Sequence, residues 1–152
     1  MSCDHCVNRR EFLARVAGAA SVAAVATACG DGQFSGAPTT PRVDPGQPPG
    51  KITITVASFP DLAQTGRLVK VASFQAAKRT GAATFDAFSM ACTHVGCLTS
   101  IVNGQTFDCP CHGSRFANDG SVINGPFTGE RIGPLRKLAT TYDPATDQLT
   151  IG

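Results

Sequence analysis

The chain has 152 residues, 42% of them apolar and 16% charged, the size and balance of one ordinary folded domain rather than a multidomain enzyme or a disordered segment. Its 13 Lys and Arg against 11 Asp and Glu leave a net charge of +2 with no basic blocks, which argues against a nucleic-acid partner. Seven cysteines beside three histidines are the unusual feature, and their placement is the strongest signal in the composition.

Residues 1–29 have the layout of an export signal. Arg9, Arg10 and Arg15 precede an apolar run of 13 residues, Val16 to Ala28, which is short of the roughly 20 residues that span a bilayer. Asn8-Arg9-Arg10-Glu11-Phe12-Leu13 is similar to a twin-arginine signal, a route that carries proteins already folded. Ala26-Thr27-Ala28-Cys29 offers a lipidation site at Cys29, in competition with ordinary cleavage after the Ala-x-Ala sequence. Cys3-Asp4-His5-Cys6 has metal-binding spacing, but it precedes the signal with no fold around it and is read as bland.

Residues 30–50 hold five Gly and five Pro in 21 positions without apolar periodicity, the composition of a tether. The folded domain is therefore expected over 51–152, enough for one modest core assisted by a crosslink or a metal. Its periodicity is two. Ile52 to Val56, Leu68 to Ser73 and Phe85 to Met90 alternate as strands. A short helix is expected around Asp61 to Gln64. Asn103-Gly104, Asn118-Asp119-Gly120, Asn124-Gly125-Pro126 and Asp143-Pro144 are turn signals, the last joining Leu138–Tyr142 to Leu149–Ile151 as a hairpin. Tyr142 and the pair Arg136-Lys137 are expected at strand surfaces or edges. The pattern is that of a small antiparallel β protein.

Within that domain every cysteine and histidine falls between Cys92 and His112. Cys92-Thr93-His94-Val95-Gly96-Cys97 is followed by Cys109-Pro110-Cys111-His112-Gly113-Ser114. Two short loops at strand ends can gather soft sulfur and imidazole donors around one centre. A pure disulfide scaffold would leave both histidines without a reason. A Cys2His2 zinc site would leave two cysteines without a role, whereas an iron–sulfur cluster can give all six residues one.

The two loops resemble, residue for residue, the cluster-binding loops of Rieske proteins, in the disulfide-bearing branch of cytochrome bc complexes and arsenite oxidase small subunits. The resemblance implies an all-β Rieske domain of stacked small antiparallel sheets, with both loops at one tip and one 2Fe-2S cluster per chain. It implies Cys92 and Cys109 on one iron, His94 and His112 on the other, and a Cys97–Cys111 disulfide across the loops. Ser114 would donate its hydroxyl to a bridging sulfide, and Val95 would shield His94. Phe116 stands where many quinol-oxidising members have Tyr, so it supplies no hydroxyl to Cys92. The 14 residues between His94 and Cys109 are few for the family, and Phe127 to Gly133 before Pro134-Leu135 departs from its third loop. Two ferric ions, two sulfides and two thiolates sum to zero charge, so an electron is accepted more easily than by a four-thiolate cluster. The solvent-facing imidazole nitrogens would couple that electron to a proton.

The expected function is that of an exported one-electron carrier with no substrate site of its own, on the periplasmic side or the outer face of the cytoplasmic membrane of a prokaryote. Its place would be as the iron–sulfur subunit of a respiratory quinol-oxidising complex, with a cytochrome b or c type partner and quinol. The alternative is a small subunit beside a molybdopterin protein, as in arsenite oxidase. Membrane association would come from the signal or a lipid anchor. A ring-hydroxylating oxygenase ferredoxin is disfavoured by Cys97, Cys111 and the export signal, and a zinc-binding interaction domain is the remaining reading.

Overall fold

The computed structural model describes residues 42–152, and their regular structure is eleven short strands with two turns of 3-10 helix. Residues 1–29, over which an export signal is expected, with Cys29 and the Cys3–Cys6 pair, lie outside the described residues. Strands β1 (Ile52–Thr55), β11 (Gln148–Ile151) and β10 (Thr140–Asp143) form one antiparallel sheet in the order β1-β11-β10. A second sheet runs β2 (Val69–Ala72), β3 (Gln75–Arg79), β4 (Phe85–Ser89) and β9 (Lys137–Leu138). The third is a meander of β5 (Ser100–Val102), β6 (Thr106–Asp108), β7 (Arg115–Ala117) and β8 (Val122–Asn124). All pairings within these sheets are antiparallel, so the all-β architecture of stacked small sheets is the one observed.

The second sheet is the middle layer because its strands are apolar on both faces. Along β4 and the residue after it, Phe85 and Ala87 enter one core with Val71, Ala77, Leu138, Leu149 and Ile151, facing the first sheet. Phe88 and Met90 enter another with Phe107, Phe116, Cys92, Cys97 and Cys109, facing the third. Successive side chains of a strand point to opposite faces, so one strand serves two cores. Phe88 and Phe107 meet edge to face at 5.9 Å, a pair that adds about 0.5–1.5 kcal/mol beyond its burial. Gly120 is seated against the Phe88 ring, where an added Cβ would come within 3.1 Å.

Three details differ from the sequence reading. The helix near Asp61 is a 3-10 turn, Pro60–Ala63. The run Leu138–Tyr142 is divided at Ala139: Leu138 pairs with Ala87 in the middle sheet, and only Thr140 onward forms the hairpin with β11. The domain also begins before residue 51. Val43 N–H donates to the Gly96 carbonyl (3.0 Å), Arg136 reaches the Gly46 carbonyl and Gln75 the Gly50 carbonyl, each at 2.8 Å. The second half of the Pro/Gly stretch is therefore fastened along the domain, because its exposed carbonyls find side-chain and loop partners that alternation of apolar residues does not report.

Tyr142 lies on β10 against Phe85, ring centroids 5.1 Å apart. Its hydroxyl donates to Asp147 Oδ1 (2.8 Å), and the other carboxylate oxygen accepts from Ala57 N–H (2.8 Å). That hydrogen bond, with burial and the carboxylate's charge, raises the phenol above its ordinary value. The folded state thus favours the protonated phenol. Its stabilising contribution is complete below the unfolded pKa of about 10 and is lost as pH rises through the higher folded value. Tyr142 is the only tyrosine, so ultraviolet titration should give a folded midpoint above that of the unfolded chain. Asp147→Asn should bring the two together, and a folded midpoint at or below the unfolded one would refute the assignment.

Candidate metal centre

Two six-residue turns of the same construction meet, joined by the Cys97–Cys111 disulfide. Between β4 and β5, Cys92 N–H bonds the Cys97 carbonyl (2.8 Å) and Gly96 N–H the Cys92 carbonyl (2.8 Å). Between β6 and β7, Cys109 N–H bonds the Ser114 carbonyl (2.8 Å) and Gly113 N–H the Cys109 carbonyl (3.0 Å). Both turns need a left-handed residue at the fifth position, Gly96 at φ 74° and Gly113 at φ 72°, a conformation glycine adopts without steric cost. Gly96 has a second reason to lack a side chain, since a Cβ there would sit 1.8 Å from the Val43 carbonyl oxygen.

The structure brings together the six residues of the two loops. Cys97 and Cys111 are disulfide-bonded, with Cα atoms 6.5 Å apart. Cys92 and Cys109 are free thiols, both buried. Burial pushes the Cys92 thiol up from its ordinary value; the His94 backbone N–H works against this, and the neighbouring Cys109 thiol adds to it. His94 and His112 turn Nδ1 towards each other at 3.1 Å, with ring centroids 4.7 Å apart at 74°. The sulfurs of Cys97, Cys109 and Cys111 also lie within 4.8 Å of one another, but two of the three are consumed by the disulfide and offer no thiolate.

Ser114 is fully buried and its hydroxyl has no hydrogen-bond partner in the protein, although it lies close enough to Cys92 to favour the thiolate. An unsatisfied buried hydroxyl costs about 1–3 kcal/mol. It is satisfied if an inorganic sulfide lies beside the two thiols, so the donor set fits a cluster of iron and sulfide. Phe116, opposite Phe107 across β7 and β6, is buried in the same core as Cys92 and brings no polar atom.

A third segment, between β8 and β9, closes over the histidines. Phe127 N–H bonds the His112 carbonyl (2.9 Å) and its ring lies edge-on to the imidazole, centroids 5.5 Å apart. The Thr93 hydroxyl reaches the Gly133 carbonyl (2.7 Å), Asn124 the Gly113 carbonyl (2.8 Å), and Glu130 Oε2 lies 3.7 Å from His94 Nε2. Phe127 is 78% exposed, and Val95, Val122 and Ile123 are also exposed. The Asp108 carboxylate beneath the second loop takes a paired hydrogen bond from Arg115, Nη2 at 2.8 Å and Nε at 3.1 Å, which holds it below the ordinary carboxylate range. Glu130 and Phe127 were not signalled by the sequence, because their segment has neither strand alternation nor ligand spacing.

Comparison with known proteins agrees with this construction. The family model of the Rieske [2Fe-2S] domain matches residues 62–142. Over 37 residues the chain is 62% identical to the cytochrome b6-f complex iron-sulfur subunit 3 of a Nostoc species and to subunit 1 of a Synechocystis species. It is 45% identical over 41 residues to the cytochrome b6-f iron-sulfur subunit of Chlorobaculum thiosulfatiphilum. The matched stretch is 23% of this chain and 20% of each of the first two relatives, and 26% and 23% for the third pair. The solved cyanobacterial plasma membrane Rieske protein of Synechocystis superimposes with a TM-score of 0.45 at 26% identity, covering 62% of this chain and 93% of that one. With a matched family model across both loops and the middle sheet, the chain belongs to the Rieske [2Fe-2S] domain family, iron–sulfur electron-transfer proteins whose cofactor is a 2Fe-2S cluster.

Proposed function

We propose that Cys92 and Cys109 hold one iron as thiolates, that His94 and His112 hold the other through Nδ1, and that the protein is an exported carrier of single electrons in a quinol-oxidising complex. When bound, the cluster takes up and returns one electron. The chain's own residues do the rest. The disulfide holds the two turns in register, and Ser114 donates its hydroxyl into the site. Phe127 and Val95 keep water from the imidazole faces while leaving an apolar rim for a partner protein. The observation that carries this reading is the position of the paired imidazoles, at a tip bounded by exposed Val95, Ile123 and Phe127. A groove of about 570 Å³ lined by residues of 43–52 and 72–75 includes none of the four proposed ligands.

The test is spectroscopic and biochemical. Full-length protein should contain iron and acid-labile sulfide in equal amounts and, once reduced, give the low-average-g resonance of mixed thiolate and imidazole ligation. Stoichiometric zinc without sulfide would replace this reading with the zinc one. In mild detergent extracts of the producing cell the chain should co-purify with a b-type cytochrome, whereas co-purification with a molybdopterin protein would favour the arsenite oxidase type of assembly.

Export belongs to the same proposal, with 1–29 as a twin-arginine signal, Cys29 as a lipidation site and the stretch after it as a tether up to the docked arm. Changing Arg9 and Arg10 together to Lys should trap folded, cluster-loaded protein in the cytoplasm. Undiminished export would exclude the twin-arginine route.

A further inference from the structure

The third segment treats the two imidazoles differently. With both Nδ1 atoms turned inward, each ring presents Nε2 outward. His94 Nε2 faces the Glu130 carboxylate at 3.7 Å, while His112 lies against the edge of the Phe127 ring. The nearest neighbour of one histidine is thus a carboxylate and that of the other an aromatic ring. The nearby Thr128 hydroxyl favours the ionised form and holds Glu130 below the ordinary carboxylate range. Its segment is fastened at Phe127 to the second loop and at Gly133 to the first. It folds back so tightly that a Cβ on Gly125 would meet the Glu130 carbonyl oxygen at 3.3 Å.

We propose that Glu130 is a positioning residue for His94, fixing the imidazole with Nδ1 inward and Nε2–H outward and placing a permanent negative charge beside the histidine-bound iron that lowers the reduction potential. The proposal rests on the reading of His94 as a ligand. A carboxylate facing the outer nitrogen of a ligating imidazole selects its tautomer, restrains its rotation and makes it a stronger donor to the metal. A strong donor and a nearby negative charge both oppose the addition of an electron. Glu130 is more than half exposed, so solvent weakens the charge without abolishing it. Among the described residues no carboxylate lies within 4.0 Å of His112, so Glu130 is nearer to His94 although its charge reaches both rings, and the two imidazoles are inequivalent.

Three variants of the full-length holoprotein separate the two roles. Glu130→Gln removes the charge and keeps an acceptor oxygen, so the equilibrium constant for reduction by a fixed donor should rise about tenfold, or 59 mV on the one-electron scale. Its imidazole nitrogen couplings in pulsed paramagnetic resonance of the reduced protein should stay as in the parent. Glu130→Ala should raise the potential similarly and also change the coupling of one histidine but not the other. Thr128→Val, which keeps the carboxylate but removes the hydroxyl beside it, should shift the potential in the same direction by less, and it carries the test if substitution at residue 130 prevents folding. Unchanged potentials in a protein with two normal imidazole couplings would overturn the role of Glu130 alone. Absence of imidazole couplings in the parent protein would overturn the ligand reading and the proposal with it.

Discussion

Full-length protein carrying His112→Ala should be colourless, folded and still disulfide-bonded, with iron and sulfide reduced to traces. His112 is part of neither apolar core; its side chain lies against those of His94 and Phe127. Its loss therefore removes a donor without opening a core cavity, and far-ultraviolet circular dichroism and the thermal midpoint of the metal-free protein should be close to the parent's. The metal centre has no replacement donor at that position, since the nearest sulfurs beyond Cys92 and Cys109 are locked in the disulfide. Ser114→Ala is the contrasting control. It deletes only the buried hydroxyl, so the cluster should assemble. A hydrogen bond that favours the reduced state by about 1 kcal/mol corresponds to roughly 40 mV on the one-electron scale, and the variant's potential should fall by about that much. Full iron and sulfide in His112→Ala, with an unchanged resonance, would remove residue 112 from the ligand set.

Cys97→Ser should cost the domain about 3 kcal/mol, the chain-entropy value for a loop of this size, given the 14-residue separation between the bonded cysteines. For a domain of this length that loss lowers the thermal midpoint by roughly 12–24 °C, at about 4–8 °C for each kcal/mol. The effect on the metal centre should exceed the effect on the sheets. The two turns are joined directly by the disulfide, whereas their other bonds run within each turn or to the arm and the third segment, from Val43 to Gly96 and from Phe127 to His112. Cluster release, followed by loss of visible absorbance on dilution, should therefore be faster in Cys97→Ser than in the parent, while initial incorporation is less affected because all four donors remain. Differential scanning calorimetry and the decay of absorbance measure the two parts. An unshifted midpoint together with an unshifted release rate would show that the crosslink is idle.

That the two loops would come together was legible in the sequence because their chemistry is concentrated: soft donors in two six-residue runs, each with glycine before the last position. The first, second and fourth strands were legible because Ile52, Val71 and Phe85 begin or continue clear alternations. Strand β3 was not, and the reason is physical. Gln75-Ala76-Ala77-Lys78 is buried on both faces at the middle of the sheet, so it shows no alternation. Lys78 is tolerated there beside Asp86 (4.0 Å) and over the Phe88 ring (5.7 Å), partners that are distant in the pattern of a single strand. The split at Ala139 was likewise hidden, since Leu138 and Tyr142 belong to one apolar core while pairing in two sheets. Glu130 was illegible for a different reason: a lone acidic residue in a glycine-containing loop acquires significance only when folding sets it beside His94.

The arm over residues 42–50 joins the domain at the metal end, through Val43 on Gly96, and runs from there past Arg136 and Gln75 to the first strand. The first described residue, Arg42, thus lies beside Cys97, to which it bridges. The backbone bond from Val43 reaches Gly96, in the turn that carries His94. The position of the arm and the shape of the turn that carries His94 are therefore linked through the Gly96 carbonyl, and loosening the arm would reach that turn before it reached β1.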